Sequence, residues 1–143
     1  MNIWDNIVVK PLEDYNESDL FNQIKKSNYV DLVQSDNNMS RWDCYSKHSN
    51  HRIELKCRTS HYNELLIEKS KYDYMVIKGH ENLEIPMYIC STPKGIFCFN
   101  LFKIEPKWVV QEHNKTTHFK DNKKIEKIIG HMSINDRYCY SYL

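Results

Sequence analysis

The sequence contains no alanine, and it has only three glycines and four prolines in 143 residues. With so few chain-breaking residues, no Pro-, Gly- or Ser-rich stretch is long enough to link two domains, and no internal repeat or low-complexity tract is present. The length suits one domain with one core. We therefore predict a single domain over residues 1–143.

The cysteines do not form motif pairs. None of the five belongs to a CxxC motif, and the start of the sequence has no apolar segment of the kind that directs secretion. No run approaches the roughly 18 apolar residues that a membrane helix needs. We expect free thiols in a cytoplasmic protein without a membrane partner. The lack of alanine beside abundant Asn, Lys, Ile and Tyr indicates an AT-rich coding sequence, such as that of a phage, whose protein would occupy the host cell cytoplasm.

An excess of charge of one sign is also lacking. The 20 Lys and Arg residues nearly balance the 19 Asp and Glu residues, which leaves a formal net charge of +1. Acidic metal ligands can offset a basic groove, so this balance neither requires nor excludes a nucleic-acid partner. The hydrophobic share of 41%, with ten tyrosines, is enough for a packed core and argues against disorder.

Apolar periodicity and turn residues predict alternating helices and strands. In the first half we expect a helix at 17–26 capped by Asn16, and strands at 29–34, 39–46 and 52–58. In the second half we expect a helix at 61–70, strands at 72–78, 86–91 and 95–102, a polar loop at 113–122, a helix at 123–129 and a Tyr-rich edge strand at the end. A helix that crosses between strands implies a parallel pair. The fold class is therefore α/β, with a mixed, mostly antiparallel sheet flanked by helices.

Three charged residues form the main candidate site. In the strand at 52–58, alternation sends Glu54 and Lys56 to one face, roughly 7 Å apart, and Ile53 and Leu55 to the other. Asp43 lies on the preceding strand and supplies a second carboxylate if the two strands pair as a hairpin. The sequence thus predicts two acids and one lysine on one face of a sheet.

This combination suits phosphodiester hydrolysis. Carboxylates are hard oxygen ligands for Mg²⁺ or Mn²⁺, which polarises a phosphate and lowers the pKa of a bound water. We expect Asp43 and Glu54 to be the metal ligands. Lys56 is expected to remain protonated beside them, so we assign it to orienting the water or stabilising negative charge.

Asp43 followed by Glu54-Leu55-Lys56 resembles the motif of the PD-(D/E)XK nuclease superfamily, with Trp42 where the family pattern has proline. The similarity covers roughly residues 17–78. The resemblance implies a restriction-endonuclease-like core made of a helix, a three-stranded meander, a crossover helix and another strand.

The resemblance also implies further site residues. The main-chain carbonyl of Leu55 completes the metal shell, and a glutamate near the first helix, Glu17 or secondly Glu13, adds to the metal site. A polar residue with a tyrosine four positions later on the crossover helix is a further family feature, matched here by Glu68 and Tyr72.

Other residues have both a functional and an ordinary interpretation. Arg58, His61, Lys69 and Lys71 could contact phosphates or be solvated helix charges. Lys94 and Lys115 could line a substrate groove or belong to ordinary surface loops. Zinc is a third option, because ligand-type residues cluster within a short stretch, although their spacing fits no usual zinc motif. These residues are Cys44, His48, His51, Cys57 and His61.

The sequence predicts a metal-dependent nuclease that hydrolyses DNA, as a structure-directed endonuclease or an exonuclease. The DNA could be duplex, branched or single-stranded, and a homodimer is plausible because two strands of a duplex must be cut. Two alternatives stay open. One is a non-catalytic nucleic-acid-binding or assembly module on the same fold, and the other is cleavage of RNA.

Overall fold

The computed structural model describes residues 10–35, 43–114 and 124–142. Within these ranges the helices are a short 3₁₀ helix at Leu12–Asp14, α1 at Glu17–Ser27 and α2 at Lys69–Asn82. The strands are β1 at Val33–Gln34, β2 at Asp43–Ser46, β3 at His51–Cys57, β4 at Glu64–Glu68, β5 at Ile85–Thr92, β6 at Gly95–Asn100, β7 at Lys107–Asn114, β8 at Lys124–Ser133 and β9 at Cys139–Tyr142. The protein is thus α/β with mixed sheets.

Helix α1 begins at the predicted cap. The Asn16 side chain accepts a hydrogen bond from the Asp19 N–H at 2.8 Å, and the Asp19 carboxylate accepts one from the Asn16 N–H at 2.9 Å. This reciprocal arrangement satisfies two amide donors that the first helical turn leaves without partners. The helix buries Leu20 and Ile24 on one side, as its apolar spacing predicts.

The larger sheet has six strands in the order β1-β2-β3-β5-β6-β9. Strands β1, β2 and β3 form an antiparallel meander, whereas β3 and β5 run parallel. The chain passes between these two through β4 and α2. The pair β5–β6 and the edge pair β6–β9 are antiparallel, and a smaller antiparallel sheet has the order β4-β8-β7.

The larger sheet separates two cores, because successive residues of its strands point to opposite faces. On one face, Ile53 and Leu55 of β3 pack with α1 in what we call the α1-side core. On the other face, Tyr88 and Cys90 of β5 pack with α2 and the smaller sheet in the α2-side core. Glu54 and Lys56 alternate with Ile53 and Leu55, so they belong to the α2 side.

Several predicted elements are confirmed. They are α1, the β2–β3 hairpin, the β5–β6 hairpin and the final edge strand. A parallel pair does exist, but it joins β3 to β5 and not to the strand predicted at 72–78. None of the described helices is long and apolar enough to cross a membrane.

The helix and strand predicted at 61–70 and 72–78 are wrong. Residues 64–68 form β4, in which Leu65 and Ile67 point into the α2-side core, and residues 69–82 form α2. Pairing of β4 with β8 overrides the helical character of the Asn, Glu and Lys residues around it. The crossover helix therefore starts eight residues later than predicted and leads to β5.

Two further predictions need correction. Residues 124–129, predicted as helix, belong to β8, because β4 and β7 flank them on both sides and supply ladder hydrogen bonds. Of the strand predicted at 29–34, only the last two residues pair, while Tyr29 and Leu32 are buried in the α1-side core. The predicted loop at 113–122 begins inside β7, and its remainder lies outside the described residues.

Candidate functional site

The hairpin of β2 and β3 places Asp43 directly opposite Glu54 in the antiparallel ladder. We call these two positions the acid pair. For Asp43 the structure describes the backbone only. Positions that oppose each other in such a ladder lie on the same face of the sheet. The hairpin thus puts position 43 on the face of the sheet that carries Glu54.

The turn between β2 and β3 is held by Asp31. Its carboxylate accepts hydrogen bonds from the His48 N–H at 2.8 Å and from the Ser46 hydroxyl at 2.7 Å. Both bonds favour the ionised carboxylate and lower the pKa of Asp31 below its ordinary value. Because Ser46 pairs with His51 at the end of the ladder, this contact helps to fix the register that sets Asp43 against Glu54.

Glu54 contacts a lysine from α2. The Lys71 Nζ lies 3.2 Å from the Glu54 Oε1, and the two side chains are only 18% and 14% exposed. Lys71 is the third residue of α2, so the crossover helix delivers this cation to the face of β3 that carries Glu54. Lys71 was predicted from the sequence as a possible phosphate contact. The ion pair with Glu54 was not predicted, because the helix was predicted to end before residue 71.

Lys56 is exposed and lies two residues beyond Glu54 on the same face of β3. On the neighbouring strand β5, Tyr88 is paired with Glu54 and Cys90 with Lys56. Burial raises the pKa of Tyr88 far above its ordinary value and the pKa of Cys90 to about 12, so both side chains stay neutral. Glu54 and Lys56 of β3 therefore lie beside two uncharged side chains of β5.

The glutamates proposed to assist the site lie elsewhere. Glu17 starts α1, and after the larger effect of burial its charge contributes to the raised pKa of the Cys57 thiol. Since Cys57 packs against the α1-side core, Glu17 is on the opposite side of the sheet from Glu54. Glu13 is exposed in the 3₁₀ helix. The structure thus does not bring the glutamates near α1 to the Glu54 face.

Glu68 and Tyr72 both contact residues other than the acid pair. Glu68 pairs with Lys127 of β8 at 3.0 Å. The Tyr72 hydroxyl donates to the Leu101 carbonyl at 3.3 Å, and its ring packs edge-on against Trp108. An open cleft of about 390 Å³ lies between the start of α2 and β8. Among the described residues that line this cleft are Glu68 and Lys127, but neither Glu54 nor Lys56.

The remaining candidate substrate contacts have structural partners or lie in turns. Arg58 donates to the Leu66 carbonyl at 3.3 Å, and His61 Nδ1 is 2.9 Å from the Thr92 hydroxyl. Lys94 is exposed in the turn between β5 and β6. Lys115 lies outside the described residues.

The arrangement of cysteines does not favour zinc. Cys44 is fully buried in the α1-side core and Cys57 packs against the same core, so both lie on the opposite side of the sheet from Glu54. His51 Nδ1 is 2.9 Å from the Tyr29 hydroxyl, also on that side. Among the described side chains, no three His, Cys, Asp or Glu residues cluster closely enough to hold a metal ion.

Comparison with protein-family models, with curated proteins and with solved structures gives no match for this chain. The candidate site is the α2-side face of β3. That face combines the acid pair, Lys56, and Lys71 delivered from α2.

Proposed function

We propose that the protein is a metal-dependent nuclease that hydrolyses phosphodiester bonds of DNA. The observation that carries the proposal is the register of β2 and β3, in which Asp43 opposes Glu54 and Lys56 follows on the same face. If the Glu-X-Lys sequence were a chance pattern on a solvated strand, there would be no reason for a second acidic residue to lie opposite its glutamate. Two acid positions and a lysine at one place on a sheet are the parts that metal-assisted hydrolysis uses.

The order of elements supports a restriction-endonuclease-like core. Helix α1 is followed by the meander β1-β2-β3, then by β4 of the smaller sheet and the crossover helix α2, and then by β5 parallel to β3. Apart from the additional strand β4, this is the order implied by the resemblance of Asp43, Glu54 and Lys56 to the PD-(D/E)XK motif. The corrected position of α2 is what makes the crossover lead directly to the strand beside β3.

The donor set suits Mg²⁺ or Mn²⁺, because carboxylate and carbonyl oxygens are the hard ligands that these ions prefer. Asp43, Glu54 and the main-chain carbonyl of Leu55 would hold the ion. When bound, it would polarise the phosphate and lower the pKa of a water ligand. Lys56 is exposed, so its ammonium group can approach the reacting phosphate, where it orients the attacking water or stabilises negative charge. The cleaved DNA would carry a 5′-phosphate.

One observation favours the alternative of a non-catalytic nucleic-acid-binding or assembly module. Glu54 already has a cationic partner in Lys71, so the charges on this face could serve only to join α2 to the sheet. Cleavage assays distinguish the two functions. A nuclease cleaves DNA and loses activity in Glu54→Gln, whereas a binding module cleaves DNA in neither form.

The proposed activity is tested by incubating the protein with Mg²⁺ or Mn²⁺ and linear, nicked, branched or single-stranded DNA, with matched RNA in parallel. We expect cleavage of at least one DNA substrate by the wild type. Glu54→Gln and Lys56→Ala should each lower the rate by about 10²-fold or more, as expected for removal of a group that acts on the reacting phosphate.

Matched controls are Glu81→Gln and Lys47→Ala, which change an exposed glutamate of α2 and an exposed lysine of the β2–β3 turn. Both should retain the wild-type rate. Equal rates for wild type, Glu54→Gln and Lys56→Ala would remove these residues from catalysis. Cleavage confined to RNA would assign the same apparatus to a ribonuclease.

A further inference from the structure

Lys71 and Glu54 form an ion pair in which both side chains are largely buried. Its two side chains are 18% and 14% exposed, whereas those of Lys69 and Asp73, on the same helix, are 41% and 47% exposed. The other pairs between lysine and a carboxylate each have at least one side chain that is 49% exposed or more. The Lys71 contact therefore differs in kind from an ordinary surface ion pair.

Stability alone is a weak reason for such a pair. Removing two charges from water costs several kcal/mol per ion when burial is deep, and the mutual attraction roughly offsets that cost. Tyr88 and Cys90, the positions of β5 beside Glu54 and Lys56, are buried and neutral. The pair nevertheless involves the one glutamate that the hairpin sets opposite Asp43.

Accordingly, we infer that Lys71 is a second lysine of the candidate site. In the free protein it holds the Glu54 carboxylate. When a divalent cation binds Glu54 instead, the Lys71 side chain swings away and its ammonium group pairs with a substrate phosphate. This inference rests on the proposed nuclease function. An ammonium and a divalent cation on the same carboxylate repel each other strongly at a separation of about 4 Å. The cation has two carboxylate positions to bind, whereas Lys71 has a flexible four-carbon stem that allows its ammonium group to turn away from Glu54.

This exchange gives Lys71 two functions at different stages. Before metal binds, it is a positioning residue that keeps Glu54 directed into the site and neutralised. Once a cation occupied Glu54, the released ammonium of Lys71 would be available to a phosphate bound at the same face of β3. Lys71 thus competes with the metal but assists the substrate.

The test measures Mn²⁺ affinity by isothermal titration calorimetry without nucleic acid, together with kcat and KM for DNA cleavage. We expect Lys71→Met and Lys71→Gln to bind Mn²⁺ about three- to tenfold more tightly than wild type, because the competing ammonium is gone. The same variants should raise KM several-fold with a smaller change in kcat. Lys71→Arg keeps the positive charge and should stay close to the wild type in both measurements.

Lys69→Met is the matched control, since it removes a lysine two residues away that pairs with Asp73 instead of Glu54. It should leave the Mn²⁺ affinity unchanged. The inference is overturned if the Lys71 variants bind Mn²⁺ no more tightly than wild type, or if Lys69→Met has the same effect. When wild type cleaves DNA and binds Mn²⁺ but the Lys71 variants match it, only this inference fails. When wild type does neither, the proposed function fails with it.

Discussion

His51, the first residue of β3, links the sheet to the segment after α1. Its Nδ1 is 2.9 Å from the Tyr29 hydroxyl, and the two rings meet edge-on with centroids 5.6 Å apart. Burial disfavours the charged imidazolium and lowers the pKa of His51 below its ordinary value of 6.5. A histidine that stays neutral in the folded protein makes folding depend on pH.

We expect the free energy of unfolding to fall as the pH drops below 6.5. In that range the unfolded chain takes up a proton at His51 before the folded protein does, so protons favour unfolding until the pH reaches the lowered folded pKa. His51→Gln removes this contribution. Urea unfolding near neutral pH and at about pH 5.5 should therefore show a smaller loss of stability in His51→Gln than in wild type.

The control for this prediction is His80→Gln, which replaces an exposed histidine of α2. It should keep the pH dependence of the wild type. If the stability of His51→Gln changes with pH as much as that of wild type, then His51 is not a source of the dependence.

The sequence predicts individual residues of the site well where alternation within one strand decides the outcome. The placement of Glu54 and Lys56 opposite to Ile53 and Leu55 follows from the pleat alone. The contact between Glu54 and Lys71 joins residues from different elements, and it depends on the angle at which α2 approaches the sheet. Nothing in the local pattern of either residue specifies that angle.

Among the elements, α2 shows why the prediction at 61–78 failed. Its inward positions are spaced by three and four residues, which is typical of a helix: Tyr72, Met75, Val76 and Gly79. However, Tyr74 and Ile77 are exposed on the outer side, and they make the apolar run look continuous, as in a buried strand. The three- and four-residue spacing of the inward positions is therefore the feature of the sequence that predicts this helix.

At Gly79, helix α2 comes close to the start of β5 and to the segment after β6. A Cβ at this position would lie 2.8 Å from the Glu84 carbonyl oxygen and 2.9 Å from Phe102 Cζ. Alanine favours a helix over glycine by about 1 kcal/mol, but overpacking against backbone costs about 1–3 kcal/mol. We expect Gly79→Ala to lower the free energy of unfolding by about 1–2 kcal/mol, measured by urea denaturation.

Lys78→Ala is a suitable control, because it places alanine one residue earlier where the side chain is half exposed. Its effect should stay within about 0.5 kcal/mol. A Gly79→Ala variant that is more stable than wild type would show that the helix shifts freely away from Glu84.

For the whole molecule, the central feature is one sheet shared by two cores. Ile24 is fully buried in the α1-side core, and Ile67 is 3% exposed in the α2-side core. Because the sheet belongs to both, we expect the protein to unfold as one cooperative unit. Ile24→Val and Ile67→Val should each cost about 0.5–1.5 kcal/mol, and the double variant should show the sum within about 0.5 kcal/mol.

Urea unfolding followed by far-ultraviolet circular dichroism and by tryptophan fluorescence measures this directly. The two probes should give the same midpoint for wild type and for all three variants. Separate transitions, with Ile24→Val moving one and Ile67→Val the other, would mean that the cores unfold independently.

The topology was only partly predictable. Hairpins whose strands are neighbours in sequence follow from turn residues, so β2–β3 and β5–β6 were found. The smaller sheet joins β4 to β8, which pair Glu64 with Ser133 across about half of the chain. Such distant pairings depend on packing against the rest of the molecule, which one local pattern does not encode.

Strand β3 has one partner nearby in the chain and one far away. Asp43 and Glu54 are eleven residues apart, whereas Leu55 and its partner Ile89 are thirty-four apart. Closing the longer loop costs more chain entropy, and local hairpins form within about 1–10 µs. We therefore expect Asp43 and Glu54 to come together early in folding, in the local hairpin, and Lys71 to reach Glu54 later, when β5 joins β3. The proposed site would then be assembled in two steps, the second of which depends on the long-range parallel pair.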